Sequence, residues 1–142
     1  MWRDLDAALG DVTVVTRDCG TVRGRTISAD DAVTTAAQLP LADRLEGRVL
    51  AGDVTARDGS VVARAGALVT LALARAIEDT AVPSVEVRDV LFCEAEGGVC
   101  AVCVGLDLDA TWPAKGDRVG ARAAWAVAVG SVSFDLRTFH VC

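Results

Sequence analysis

The chain has 142 residues, enough for one domain or one domain with an appendage. Its apolar fraction of 52% excludes global disorder, and an aromatic content of only 4% means that the core must be built from Val, Leu and Ala. A formal charge of −6 and a pI of about 4.6 argue against independent binding to DNA or RNA, which calls for a basic surface to displace the counterions of phosphate.

The opening residues, Met1 to Asp6, place acids where a signal peptide carries basic and then apolar residues. The longest uncharged apolar run, Ala123 to Phe134, has 12 residues, and about 18 are needed to cross a bilayer. The expectation is a cytoplasmic protein with no membrane segment. In a reducing compartment, five cysteines point to metal or redox chemistry rather than to disulfides.

In chain order, residues 1–10 read as a short helix, with Leu5 and Leu9 four apart. Asp11 to Thr16 and Thr21 to Ile27 read as strands joined by a turn at Asp18-Cys19-Gly20. Residues 28–45, rich in Ala, Thr and Asp and containing Pro40, read as an irregular excursion. Short strands are expected at Arg48–Leu50 and at Val54–Ala56. The pair Asp58-Gly59 predicts a type I′ hairpin turn returning through Ser60 to Ala63. Thr70 can cap a helix to about Asp79, with Val69, Leu73, Ala76 and Ile77 on one face. Pro83 follows that helix, and Val85 to Arg88 alternate as a strand leading to Cys93. Val119 to Val129 fit either a helix of small residues or a buried strand.

The sharpest local feature is Cys93-x6-Cys100-x2-Cys103. A Cys-x2-Cys step lets two thiolates from one tight turn meet the same ion, and Gly97-Gly98 lets the loop carry Cys93 back to it. A closed tetrahedral zinc site needs a fourth ligand, for which Cys19, His140 and Cys142 are the candidates. Two other readings compete with zinc: cysteines buried as small hydrophobes, and a redox dithiol of Cys100 and Cys103.

Four motifs, in order, resemble the largest subunit, beta-prime, of bacterial RNA polymerase. They are Asp18-Cys19-Gly20-Thr21; Cys93 to Cys103 followed by Gly105 and Asp107-Leu108; Lys115-Gly116-Asp117 with Val119-Gly120; and Leu136-Arg137-Thr138-Phe139-His140. Gly47–Leu50 and Val85–Arg88 fit as well, so the likeness runs from about Asp4 to His140. It implies the stretch that starts after the bridge helix, passes the second zinc site and ends in the first trigger-loop helix. It further implies that Cys19, Cys93, Cys100 and Cys103 hold the zinc, and that Cys142 has no counterpart. Arg137 and His140 match trigger-helix residues that touch the incoming nucleoside triphosphate in that family.

The sequence departs from the family in two places. Trp125 to Ser133 stands where the family has Gln-Ser-Ile-Gly-Glu-Pro-Gly-Thr-Gln, and the sequence ends two residues after His140, so no second trigger helix is expected to close. The Asp-rich motif that holds catalytic Mg²⁺ is absent, and Asp107 with Asp109 is a poor substitute without a phosphate cradle.

The resulting expectation is an α+β fold. It comprises a small, mostly antiparallel β-domain with one helix (1–92, supplying the first zinc cysteine), a four-cysteine zinc knuckle (93–105) and a helical, trigger-helix-like C-terminal segment (106–142). Its function is expected to be structural and protein-binding, in transcription, with RNA polymerase subunits or a transcription regulator as partners and no catalysis alone. Self-association through 119–134 is a further expectation, since apolar surface of that kind marks interfaces. The alternatives are a part of an RNA polymerase active site working in trans, or a zinc-thiol redox sensor.

Overall fold

In the computed structural model, residues 2–29 and 39–139 are described, with side chains described over 3–29 and 39–129. The fold is α+β. Helix α1 (Trp2–Leu9) leads to β1 (Val14–Thr16) and, past the first cysteine, to β2 (Arg25–Ser28). Then come α2 (Leu41–Leu45), the hairpin β3 (Val54–Thr55) and β4 (Val61–Ala63), α3 (Leu71–Asp79) and β5 (Ser84–Val87). A 3-10 turn (Val90–Phe92) enters the cysteine loop, which closes through β6 (Val99–Cys100) and α4 (Ala101–Val104). Helix α5 (Val119–Phe139) ends the described chain.

Residues 25–88 form a body around one apolar cluster. β2 and β5 pair antiparallel from Arg25 opposite Val87 to Ser28 opposite Ser84. Alternation along β5 buries Val85 and Val87 and leaves Ser84 and Glu86 exposed, as the sequence pattern predicts. Bridges from Val49 to Leu68 and from Leu50 to Val87 tie the hairpin region to this ladder. Thr70 caps α3 by accepting the Leu73 amide at 3.3 Å. The buried face of α3 carries Ala74 and Ile77 with Leu73 half-buried and Val69 buried just before it, while Ala76, expected inside, is exposed and Ala74 takes its place.

Two local expectations are corrected. The excursion over 28–45 contains α2, so this body holds two helices, not one. Pro40 is harmless at a helix start, where its missing amide has no intrahelical partner in any case, and Leu41, Ala42 and Leu45 then bury one short face. Residues 30–38 of that excursion lie outside the described residues. The hairpin turn is not type I′, because Gly59 alone takes a positive φ, +86°, and Asp58 does not. The Gly59 amide reaches the Ala56 carbonyl at 3.0 Å and the Ala56 amide reaches Ser60, which makes a type I turn closed by a glycine bulge. Asp58 stabilises it differently from the expected way, accepting both the amide and the hydroxyl of Ser60.

The second cluster is small: Val14, Val99 and Ala101, flanked by Val12, Cys93, Val104, Trp112 and Val119. β1 lies parallel to β6 here, Val14 opposite Val99. On its other side β1 meets the loop before α5: the Val14 amide donates to Asp117 at 3.0 Å, and Gly116 donates to Val14 at 2.7 Å. The segment Val119 to Val129, open between helix and strand in the sequence, is helical. Gly120, which weakens a helical pattern, has a packing reason. A Cβ there would sit 1.9 Å from the Leu9 carbonyl oxygen, so only glycine lets α5 start against the end of α1. Ala124 is buried on this helix, whereas Trp125, Val127 and Val129 are exposed. Among the described residues, no helix is long and apolar enough to cross a membrane.

Candidate metal centre

Cys19 sits in the turn between β1 and β2. The turn is shaped by Asp18, whose carboxylate accepts the Gly20 amide at 2.9 Å. Thr21, buried, donates its hydroxyl to Glu94 at 3.0 Å and so pins the turn to the residue after Cys93. Cys93 closes the 3-10 turn. Its loop returns through Gly97 and Gly98 and runs onto β1: a Cβ on Gly98 would meet the Thr13 carbonyl oxygen at 2.4 Å and the Val15 side chain at 2.7 Å. This close approach lets Val99 donate to Thr13 at 3.0 Å and Val102 to Arg17 at 3.1 Å, fixing the knuckle on the strand.

The Cys-x2-Cys step folds as the chemistry requires. Cys100 caps α4, its sulfur accepting the Cys103 amide at 3.3 Å, which turns Cys103 back toward the same centre. The four sulfurs of Cys19, Cys93, Cys100 and Cys103 all lie within 4.8 Å of one another. The Sγ atoms of Cys19 and Cys103, 84 residues apart in sequence, are 3.8 Å apart. A tetrahedron with metal–sulfur bonds of about 2.3 Å has sulfur–sulfur edges of about 3.8 Å, so the spacing suits such an ion. Cys100 and Cys103 are buried and the other two are half-buried, and none is in a disulfide.

Amide and guanidinium donors surround the sulfurs. The Glu94 amide lies 3.5 Å from the Cys19 sulfur and the Cys100 amide 3.3 Å from that of Cys93. Arg88, only 7% exposed, sends Nη2 to Cys19 at 3.4 Å, Cys103 at 3.5 Å and Cys100 at 3.9 Å. The same nitrogen donates to Asp18 at 2.7 Å. Burial alone would lower the Arg88 pKa, but the Asp18 carboxylate and the Cys103 sulfur more than reverse this, and the guanidinium stays charged. Asp18 is in turn held below the usual carboxylate range, first by the Gly20 amide and then by Arg88.

The protein alone makes the thiols of Cys19, Cys93 and Cys103 unequal. Burial raises Cys19, yet the amides of Glu94 and Thr21 and the neighbouring thiols outweigh it and bring the group down to about 6. Burial pushes Cys93 and Cys103 upward, and the nearby Cys100 sulfur adds to the rise in both. Four sulfurs this close cannot all ionise unless a cation joins them, because like charges raise one another's pKa. The donor set is therefore suited to a soft or borderline divalent ion.

The structure thus brings together Cys19, Cys93, Cys100 and Cys103, and among the described residues these form the one group able to hold a metal. Of the other candidates for the fourth position, His140 and Cys142 lie outside the described residues. Arg137 falls on α5 where the backbone alone is described. Asp107 pairs with Arg122 at 2.8 Å and Asp109 accepts the Thr111 hydroxyl at 2.9 Å, so neither joins the centre. Arg88 was readable only as a strand residue. Its signal is a charged side chain at the end of an alternating strand five residues before a cysteine.

No protein-family model matches the chain. Curated proteins do. The DNA-directed RNA polymerase subunit beta' of Chlorobium phaeovibrioides is 38% identical over 141 residues, 97% of this chain and 10% of that protein. The subunit beta' proteins of Aquifex aeolicus and Salinibacter ruber are each 38% identical, over 92% and 91% of this chain and 8% and 9% of their own lengths. Along nearly its whole length the chain is similar to a segment of bacterial RNA polymerase subunit beta'. It spans about a tenth of the beta' proteins it matches. The beta' likeness extends across both apolar clusters and all four cysteines, since nearly the whole chain is aligned.

Proposed function

We propose that the chain is a zinc-stabilised beta'-type module that organises protein structure in transcription and performs no nucleotidyl transfer alone. Zn²⁺ is held by Cys19, Cys93, Cys100 and Cys103. The supporting observation is the meeting of four sulfurs, from a turn and a knuckle far apart in sequence, within 4.8 Å of one another. Zinc fits better than harder divalent ions because every donor is sulfur. A ligand set with no position left for water is a structural site rather than a catalytic one.

In this reading zinc clips the turn after β1 to the knuckle after the 3-10 turn, and its binding energy becomes folding energy for a region with little apolar core. Four thiolates and one dication make the acidic chain more acidic by two charges, so binding to nucleic acid is left to partners. Those partners are other RNA polymerase subunits or a transcription regulator, in the cytoplasm.

Metal analysis of protein purified without added metal tests the site: one zinc per chain is expected, falling to none when Cys100 and Cys103 are both changed to Ser. Zinc retained by that double variant would overturn the assignment. Affinity capture of the tagged chain from its own cells tests the partners. Co-purifying polymerase subunits are expected, and their absence from a capture that retains zinc would reject the transcription reading while leaving the metal site standing.

A further inference from the structure

We infer that Arg88, clamped by Asp18, is the positioning residue that supplies the counter-charge of the metal centre and sets how tightly it holds its ion. The inference rests on the four-cysteine reading above and deepens it.

One nitrogen of Arg88 faces three of the four sulfurs, at 3.4, 3.5 and 3.9 Å, and the residue is buried. A buried guanidinium is costly unless anions surround it. In this structure Asp18 provides one anion, and the other neighbours of that nitrogen are sulfurs. Of the other two guanidinium nitrogens, Nε is buried without a hydrogen-bond partner among the described residues, so Nη2 is the nitrogen that bonds the sulfur cluster and Asp18. A dication with four thiolates carries two net negative charges in a pocket where two of the four sulfurs belong to fully buried residues. Arg88 sets one positive charge directly against the sulfurs and donates to them, while its own partner anion, Asp18, has a half-exposed side chain.

The arrangement also explains the shape of the turn. Asp18 accepts the Gly20 amide and holds Arg88 through the same carboxylate oxygen, so one oxygen both forms the turn that presents Cys19 and aims the cation at Cys19. Groups that orient and polarise metal ligands from outside typically change affinity by ~10–100-fold when removed.

The experiment loads the full chain with Co²⁺ and measures affinity by chelator competition, together with the visible spectrum. For Arg88→Met, affinity is expected to fall ~10–100-fold while the tetrahedral-thiolate band pattern persists. The sulfur-to-cobalt band should move to lower energy, because loss of a donor raises the sulfur lone pairs. Arg88→Lys keeps the charge without the fork and should recover part of the loss. Asp18→Asn should weaken binding less than Arg88→Met. Arg64→Met, which removes a guanidinium whose side chain is 79% exposed, should change nothing.

A purely structural role for Arg88 would shift the melting temperature without moving the band, and that result overturns the inference. Wild-type affinity in Arg88→Met overturns it too. Should Arg88→Met fail to fold, the lysine and asparagine variants decide by the same readouts. Wild-type protein that takes up Co²⁺ without thiolate bands would instead overturn the four-cysteine reading itself.

Discussion

Between Arg25 and Arg88 the chain buries Leu45, Leu50, Val69, Ile77 and Val87 almost completely, whereas the region around the cysteines buries only Val14, Val99 and Ala101 as apolar core. At about 1.5–3 kcal/mol for each buried large aliphatic side chain, the first region can hold itself together and the second has little to work with. The sulfur cluster occupies the place that a larger core would fill. A region short of apolar mass must obtain its stability from a cross-link, and here the candidate cross-link is an ion.

Removing the ion should give the largest effect. Structural zinc contributes about 10–16 kcal/mol at neutral pH in small zinc modules. With a chelator present, hydrogen exchange should quicken at the Val99, Val102 and Cys103 amides, which bond to Thr13, Arg17 and the Cys100 sulfur. The amides of Leu50, Val69 and Ala74, bonded inside the 25–88 body, should stay protected. Uniform loss of protection would show that the two regions form one cooperative unit and would erase the contrast. Acid should act as a chelator does, since protons compete for thiolates, so metal content should fall as pH is lowered from neutral.

Next in size, Leu50→Ala should cost the body about 2–5 kcal/mol, read as a lower denaturation midpoint, while zinc content at low temperature stays at one per chain. Gly98→Ala should do the reverse. Its Cβ would strike the Thr13 carbonyl, and overpacking of this kind costs about 1–3 kcal/mol, expressed as faster zinc transfer to a competitor with the body's melting unchanged. Smallest is Thr70→Ala, which removes the cap of α3 and should cost about 1 kcal/mol in the body alone, measured by the same denaturation curve. A change in zinc affinity there would sharpen the comparison by showing that stability flows between the regions.

Most of the body was legible because its signals are local. The alternation of Val85 and Val87, the cap at Thr70 and the turn at Asp58-Gly59 each act over a few residues. The errors arose where two local rules competed: Pro40 reads as a breaker yet starts α2, and Asp-Gly reads as type I′ yet forms a bulged type I turn. At the centre, Cys93, Cys100 and Cys103 announce themselves by spacing, but spacing leaves Cys19, His140 and Cys142 open as the fourth donor. The beta' resemblance selected Cys19, and the coordinates place its sulfur with the other three. Arg88 was out of reach of both arguments, because a charged residue at the end of a strand is ordinarily solvated. Its burial depends on a turn 70 residues away.

The ladder between β2 and β5 has a consequence for how readily an ion can be captured. Cys19 lies six positions before Arg25, and Cys93 six positions after its partner Val87. Once that rung forms, the two sulfurs are separated by an effective tether of a dozen or so residues instead of the full stretch of sequence between them. By logarithmic loop-closure scaling, this lowers the entropic barrier to bridging them by roughly 1.5 kcal/mol. An insert placed directly after Ser28 lengthens the distal side of a closed ring and leaves this short tether between the two sulfurs unchanged.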